Sequence, residues 1–159
     1  MQFFEVVDQR RSVRAFTQTP IESHKLETIL ATARLAPSAG DLQDYRTAVI
    51  DEVSAKEALA AAAFGQRFVA EAPVVLIFCV SPERSERKYG QRGAALYCVQ
   101  DATIAACYAQ LAATSQGLAS CWVGAFDEAA AAAALNAPRR LRPVALMPIG
   151  YAAEAPDRP

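Results

Sequence analysis

The longest apolar segment of this chain runs from Arg92 to Gln116 and reads RGAALYCVQDATIAACYAQLAATSQ. Apolar residues fall on nearly every side of a helix drawn through this segment, and charged residues are few. A helix with that pattern is buried in a protein core. Gly117 follows at once, in the position where helices commonly end on glycine. The segment therefore predicts one long central helix, which is core and also a candidate dimer interface.

Shorter helices and buried strands are predicted on both sides of this segment. Strands are predicted at Tyr45–Ile50, at the continuous apolar run Val74–Val80, at Ala119–Val123 and at Val144–Ile149, the last preceded by a break at Leu141–Pro143. The helices are an opening helix at Phe3–Val7, one from a Ser23 cap to Leu35, one from a Ser54–Glu57 capping box to Phe64, and one capped by Asp127. This alternation indicates an α/β layered fold with one parallel sheet covered on both faces.

Length and charge limit the class of protein. We predict a single domain, 1–159, because 159 residues suffice for one sizeable core. The net charge of −1 gives no electrostatic argument for binding nucleic acid or an anionic membrane. We expect neither a signal peptide nor a membrane-spanning segment, and therefore a cytoplasmic location.

The cysteines and the single histidine argue against a metal site. Cys79, Cys98, Cys107 and Cys121 stand in apolar surroundings without a CxxC spacing, so we predict four buried thiols in a reducing compartment. His24 has no neighbours that could complete a zinc or iron site. One histidine without such partners also leaves no Ser-His-Asp or Cys-His catalytic set.

Three arginines and a serine are concentrated in the basic motif, Arg10-Arg11-Ser12-Val13-Arg14. Guanidinium groups hold planar sets of donors that suit phosphate oxygens. A solvated loop paired with Glu5 and Asp8 is the plain alternative for this motif taken alone.

Turn residues and polar side chains are combined in the polar segment, Pro37-Ser38-Ala39-Gly40-Asp41-Leu42-Gln43. Ser38 could simply cap a turn there. Taken together, the basic motif and the polar segment point to a planar cofactor that carries a phosphate.

With three further motifs, these two resemble the FMN-dependent nitroreductase family, in one order along nearly the whole chain. The further motifs are Arg92-Gly93, the run from Gly117 to Phe126, and Pro148-Ile149-Gly150-Tyr151 with a terminal Arg158. The resemblance implies an α+β fold with a central mixed β-sheet flanked by helices on both faces. It also implies an intertwined homodimer with two FMN sites, each built from both chains.

The resemblance implies roles for individual residues. Arg10, Ser12, Arg14 and Arg158 would hold the FMN phosphate, and Arg11 would lie beside the flavin ring. Pro37, Ser38, Asp41 and Gln43, contributed by the second chain, would line the isoalloxazine ring and the ribityl chain. Gly124 would place a backbone amide near flavin N5, with Trp122 and Val123 against the ring edge, although a tryptophan is more often core.

The implied activity is hydride transfer from NAD(P)H through FMN to a small acceptor such as a nitroaromatic or a quinone. No catalytic side chain is required, because the cofactor carries the chemistry. Two alternatives stay open: a relative with different flavin chemistry, such as dehalogenation, flavin fragmentation or azoline oxidation, and a flavin-binding dimer with little turnover.

Three features depart from the family pattern. Asp41 stands where the family usually has Asn, so a carboxylate replaces an amide donor. Asp44 and Tyr45 stand where Pro and Trp are frequent. The connection from Val80 to Arg92 is brief, whereas many relatives insert helices there that cover the flavin, so we expect no substrate lid.

Overall fold

Four strands form one sheet in the computed structural model, which describes residues 1–136, 138 and 140–155. They are β1 (Tyr45–Ile50), β2 (Val74–Val80), β3 (Ala119–Ser120) and β4 (Arg142–Gly150), in the order β1-β2-β4-β3. All neighbouring strands are antiparallel, and one parallel bridge, between Ser12 and Ser120, adjoins them. The α+β fold is therefore confirmed.

The parallel sheet predicted from alternation alone is wrong. Two helices in succession, rather than one, connect β1 to β2, so the chain enters β2 from the opposite end. β1 and β2 are confirmed with their predicted bounds, and β2 is buried along its whole length.

The described residues contain seven α-helices, which cover both faces of the sheet. They are α1 (Phe3–Gln9), α2 (Ser23–Arg34), α3 (Val53–Ala62), α4 (Phe68–Glu71), α5 (Glu83–Arg92), α6 (Cys98–Ser115) and α7 (Glu128–Ala134). Helices α2 and α6 pack on one face, against Leu76, Phe78 and Met147. Helices α3, α4 and α7 pack on the other, against Val75 and Ile77, which alternate with the first set along β2.

The long central helix is confirmed from Cys98 to Ser115, and Gly117 follows it with φ +75°. Its predicted start is different, because residues Gly93–Tyr97 form a π-helical segment. Gly93 lies against the backbone of Ser85, so closely that no side chain would fit there.

Two of the predicted helix caps are wrong, because the helix cap is one residue earlier at α2 and two residues earlier at α3. Glu22, not Ser23, occupies the cap position of α2. Glu52 caps α3 by accepting from Ser54 N (3.0 Å), and Glu57 is paired with Arg67 instead. The third cap is confirmed: the Asp127 side chain accepts from Ala130 N at 2.8 Å.

The two strands that follow α6 differ from their predicted lengths. β3 ends at Ser120, and Val123 makes only an isolated bridge with Leu146. β4 begins at Arg142, so it includes Pro143 of the predicted break. A shift of register at Phe78–Cys79 accommodates this proline, which cannot donate to a neighbouring strand.

The cysteine prediction is wrong at one position, because Cys107 lies exposed on α6 while the other three are buried. Burial raises the pKa of the Cys79 thiol to about 11. Within the described ranges, no helix combines the length and the apolar character needed to cross a membrane.

A cluster of three polar side chains ties α2 to the end of β4. The Tyr151 hydroxyl donates to Glu22 Oε2 at 2.6 Å, and Lys25 Nζ donates to the same hydroxyl at 2.6 Å. The tyrosine hydrogen bond, with help from Lys25, lowers the pKa of Glu22 from 4.5 to about 2.

Replacing Glu22 with Gln should lower the stability of the protein at neutral pH. Because the pKa of Glu22 is lowered by folding, its contribution is complete above about 4.5 and is lost as the pH falls towards about 2. Urea unfolding across this range should therefore show that the free energies of unfolding of the wild type and of Glu22→Gln become equal at acid pH. Glu27→Gln, an exposed change on the same helix, is the control. If the free energies of unfolding of the wild type and Glu22→Gln differed by the same amount down to pH 2, the stabilising role of ionised Glu22 would be contradicted.

Candidate functional site

The basic motif runs beside β3 and is fixed on two sides. Val13 N donates to Ser120 O at 3.1 Å, next to the parallel bridge of Ser12 and Ser120. On the other side, Thr17 N donates to Tyr151 O at 2.8 Å. The motif is thus held through its backbone, with Glu154 Oε1 also accepting from Arg14 N at 2.9 Å, and these bonds leave the side chains of Arg10, Ser12 and Arg14 available for a ligand.

Three of the four predicted phosphate-binding residues share one side of this segment. Arg10, Ser12 and Arg14 all lie near the buried thiol of Cys121. Burial raises the pKa of Cys121, while the two guanidinium groups and the Ser12 hydroxyl act in the opposite direction. Ser12 and Arg14 are exposed and Arg10 is half-buried, so the group forms an accessible basic surface.

Arg11 lies on the other side, apart from these three. Its guanidinium donates to the carbonyl oxygens of Asp8 and Arg10, and its Nε is buried without a partner in the part of the chain that the structure describes. It lines a small cavity of about 180 Å³ with Thr114 and Gly117, at the C-terminal end of α6. A cation is favourable at that end of a helix. Within one chain, Arg11 is therefore placed to stabilise α6, and its role beside the ring remains a proposal.

The segment after β3 brings Gly124 to the surface. Val123 is buried and exchanges two backbone hydrogen bonds with Leu146, of 2.9 and 3.0 Å, so its side chain belongs to the core. Trp122 is half-buried and packs against the core cluster on the α6 face. Gly124 is exposed, and its N–H donates to no acceptor among the described residues.

The polar segment forms a tight turn whose own side chains satisfy it. Residues Ala39–Asp41 make a 3₁₀ turn, and Asp41 has the left-handed φ of +55°. Ser38 Oγ accepts from Gln43 N at 3.0 Å, and Gln43 Nε2 donates to Arg34 O at 2.6 Å. The turn role considered for Ser38 is thus confirmed. The Asp41 side chain is exposed.

A buried acid that sequence analysis missed anchors this segment to α6. Asp101 is 3% exposed, and its Oδ1 accepts from Ala39 N at 2.9 Å. Its Oδ2 is buried and has no partner among the described residues. Burial raises the pKa of Asp101 above its ordinary 3.8, nearby Asp44 adds to this, and the bond from Ala39 opposes it. The available signal was its position as the lone acid in the apolar run 93–116.

A second buried acid holds the far end of the segment. Asp44 is 1% exposed, and its Oδ2 accepts from Ser85 N, in the first turn of α5, at 2.7 Å. Between the segment and α6 lies a cavity of about 560 Å³, which is lined by Pro37, Ser38, Ala39, Tyr97, Val99, Gln100, Asp101, Thr103 and Ile104.

Helix α5 lies beside the polar segment, where the sequence was interpreted as a brief connection, and the absence of a substrate lid over the flavin stays a prediction. The Arg84 guanidinium donates to Leu42 O at 2.7 Å, and Lys88 Nζ donates to Gly40 O at 3.4 Å. The almost entirely polar composition of these residues favoured a connection rather than a helix.

Within one chain the basic motif and the polar segment lie at opposite ends of α6. Asp101 contacts the polar segment, whereas Thr114 lies beside Arg11 of the basic motif. At about 1.5 Å of rise per residue, these two positions are about 20 Å apart along the helix. One chain therefore does not bring the two predicted halves of the site together. Arg158, the remaining predicted phosphate contact, lies outside the described residues.

Comparisons with known proteins agree on one family. A family model described as the nitroreductase family matches residues 7–67 and 55–151. An NADH dehydrogenase from Thermus thermophilus is 32% identical, over 92% of this chain and 84% of that protein. An NAD(P)H FMN reductase from Bacillus subtilis is 29% identical over 48% of this chain and 30% of its own length. A solved nitroreductase family protein from Clostridium novyi NT has a TM-score of 0.89 at 31% identity, over 97% of this chain and 87% of that one.

Asp101→Asn should become more stable relative to the wild type as the pH rises. Folding raises the pKa of Asp101, so ionisation of its carboxyl lowers the free energy of unfolding as the pH rises above about 3.8. The amide of Asn cannot ionise, and it keeps an oxygen that accepts from Ala39 N. Urea unfolding should give the same free energy of unfolding for the wild type and Asp101→Asn near pH 3. Towards neutral pH, the free energy of unfolding of Asp101→Asn should increasingly exceed that of the wild type.

Asp101→Leu provides the complementary variant because it removes the acceptor altogether. Hydrogen exchange at the Ala39 amide should then accelerate by about tenfold, the equivalent of one hydrogen bond, while Asp101→Asn keeps it near the wild-type rate. Equal Ala39 exchange in the two variants would show that Asp101 does not hold the polar segment.

Proposed function

This chain belongs to the nitroreductase family, and we propose that it is an NAD(P)H-dependent oxidoreductase that binds FMN and reduces a small electron acceptor such as a nitroaromatic or a quinone. Bound FMN would supply the redox chemistry by taking up hydride at N5. The names of the relatives, an NADH dehydrogenase and an FMN reductase, support this proposal.

The observation that carries the proposal is the exposed basic surface of Arg10, Ser12 and Arg14. A phosphate monoester carries nearly two negative charges and three strong acceptor oxygens, which match two guanidinium groups and a hydroxyl. Because backbone hydrogen bonds of Val13 and Thr17 fix the motif, the donors are arranged before a ligand binds. The donor set therefore fits the phosphate end of FMN.

Gly124 is the residue best placed to act on the ring end. Its N–H is unengaged within the described ranges and lies two residues beyond Trp122, on the same segment as Cys121. A backbone donor at N5 would stabilise the position where hydride arrives and would orient the ring without a titratable group. No side chain need act as an acid, a base or a nucleophile in this scheme.

The polar segment would reach the same ring from a second chain. Its Pro37, Ser38, Asp41 and Gln43 lie at the far end of α6 from the basic motif, so a homodimer is required to combine the two. Exposed apolar side chains on α1 support an interface, since Phe3 is 64% and Phe4 82% exposed. We propose two such shared sites per dimer.

Replacing Arg10 or Arg14 with Ala should weaken FMN binding by roughly ten- to hundred-fold. Each change removes one partner of a charge-assisted hydrogen bond, which costs on the order of 1.5–3 kcal/mol. Isothermal titration of the apoprotein with FMN measures the loss directly. Arg46→Ala, on the exposed strand β1, is the control and should bind FMN as the wild type does. Unchanged affinity in both motif variants would remove the basic motif from the phosphate site.

Asp41→Asn should raise the midpoint potential of the bound flavin by on the order of tens of millivolts. A carboxylate near the ring disfavours the anionic reduced form by Coulomb repulsion, which the isosteric amide does not. Asn also tolerates the left-handed backbone of this position. An unchanged potential would confine Asp41 to the turn. In that case Asp41 gives no information on activity, and the rate of NADPH oxidation with and without menadione must distinguish a reductase from a flavin-binding protein with little turnover.

A further inference from the structure

The charges of α5 are divided between two sides of the helix. Ser85 is buried and marks the side that faces the protein. Arg84, Arg87 and Lys88 have the spacing i, i+3, i+4 and so share one side, which we call the basic side of α5. Glu86 points away from this side, whereas Glu83 is the i, i+4 neighbour of Arg87. The helix therefore presents concentrated positive charge in one direction.

The basic side of α5 faces the polar segment. Arg84 donates to Leu42 O at 2.7 Å and Lys88 to Gly40 O at 3.4 Å, so both side chains extend towards residues 40–42. Arg87 uses only its Nε, which donates to Glu83 O at 3.2 Å. All three side chains are exposed.

Two of these positive charges, on Arg84 and Lys88, have no carboxylate partner among the described residues, whereas Arg87 lies one helical turn from Glu83 and interacts with its charge. The ion pairs among the described residues are Lys25–Glu22, Arg67–Glu57 and Arg142–Glu128, none of which involves α5. The partners of the basic side are backbone carbonyl oxygens, which leave the cationic charge in place. An anionic ligand next to the polar segment would therefore find two cations, on Arg84 and Lys88, free to attract it, with Arg87 beside them.

We propose that the basic side of α5 binds the phosphate groups of the reduced dinucleotide NAD(P)H. This inference rests on the proposed function, in which the polar segment lies against the flavin ring. The FMN phosphate is already provided for by the basic motif, at the other end of α6. The second phosphate-bearing ligand of the reaction is the hydride donor, which must place its nicotinamide on the ring that the polar segment lines. Because α5 contacts that segment, its basic side would lie beside the ring and would be available to the phosphates of that donor.

The test uses the flavin-loaded protein and the oxidised dinucleotides NAD⁺ and NADP⁺ as non-reacting probes. In the double variant Arg87→Gln, Lys88→Gln, both probes should bind about tenfold more weakly, since two exposed charge contacts are lost, and the effect should shrink at high salt. A loss for NADP⁺ alone would support the proposal too and would assign the 2′-phosphate rather than the pyrophosphate to the basic side. Arg84 is left unchanged because it holds Leu42.

Glu86→Gln is the matched control on the opposite side of the same helix, and it should not weaken either probe. Unchanged dissociation constants in the double variant would overturn the proposal. Weakened FMN binding in that variant would also overturn it, by assigning the basic side to the flavin instead. Failure of the proposed function itself is distinguishable, because the wild-type protein would then lack the visible absorbance of bound flavin or would bind neither dinucleotide.

Discussion

Close packing of α6 against the sheet is the constraint on which the rest of the structure depends. Its inward positions are mostly alanines, and Ala102, Ala105, Ala106, Ala109 and Ala113 are completely buried. Small side chains let the helix backbone approach the strands, so α6 cannot shift without opening the core. Its two ends are consequently fixed points. One of them carries the acid that holds the polar segment, and the other adjoins the basic motif.

The sequence predicted the parts of the fold that are set by continuous apolar patterns. β2 is apolar over its whole length, β1 and the body of α6 are apolar over most of theirs, and the structure has them as predicted. Strand direction was missed because the alternation of elements does not record how many helices connect two strands. Helix α5 was missed because its residues are nearly all polar and therefore resemble a loop, and because its first turn depends on a hydrogen bond to Asp44, distant in sequence.

For the candidate site, sequence patterns predicted which residue types take part better than they predicted where those residues lie in the structure. The basic motif was identified from clustered donors, and three of its members do share one surface. Its fourth member, Arg11, is directed to the end of α6, because successive residues of an extended segment point to opposite sides. Asp101 was not identified, since its role depends on a backbone amide 62 positions away. The separation of the two halves by α6 could be seen only in three dimensions.

The central claim, that each flavin site combines the basic motif of one chain with the polar segment of another, is tested most directly with mixed dimers. One chain carries Arg14→Ala and the other carries Ser38→Ala with Asp41→Ala, and FMN is titrated into the purified heterodimer. Sites shared between chains predict one site of wild-type affinity per heterodimer, formed by the intact motif of the second chain and the intact segment of the first. Sites contained within single chains would leave both sites impaired, and a heterodimer without any site of wild-type affinity would contradict the account.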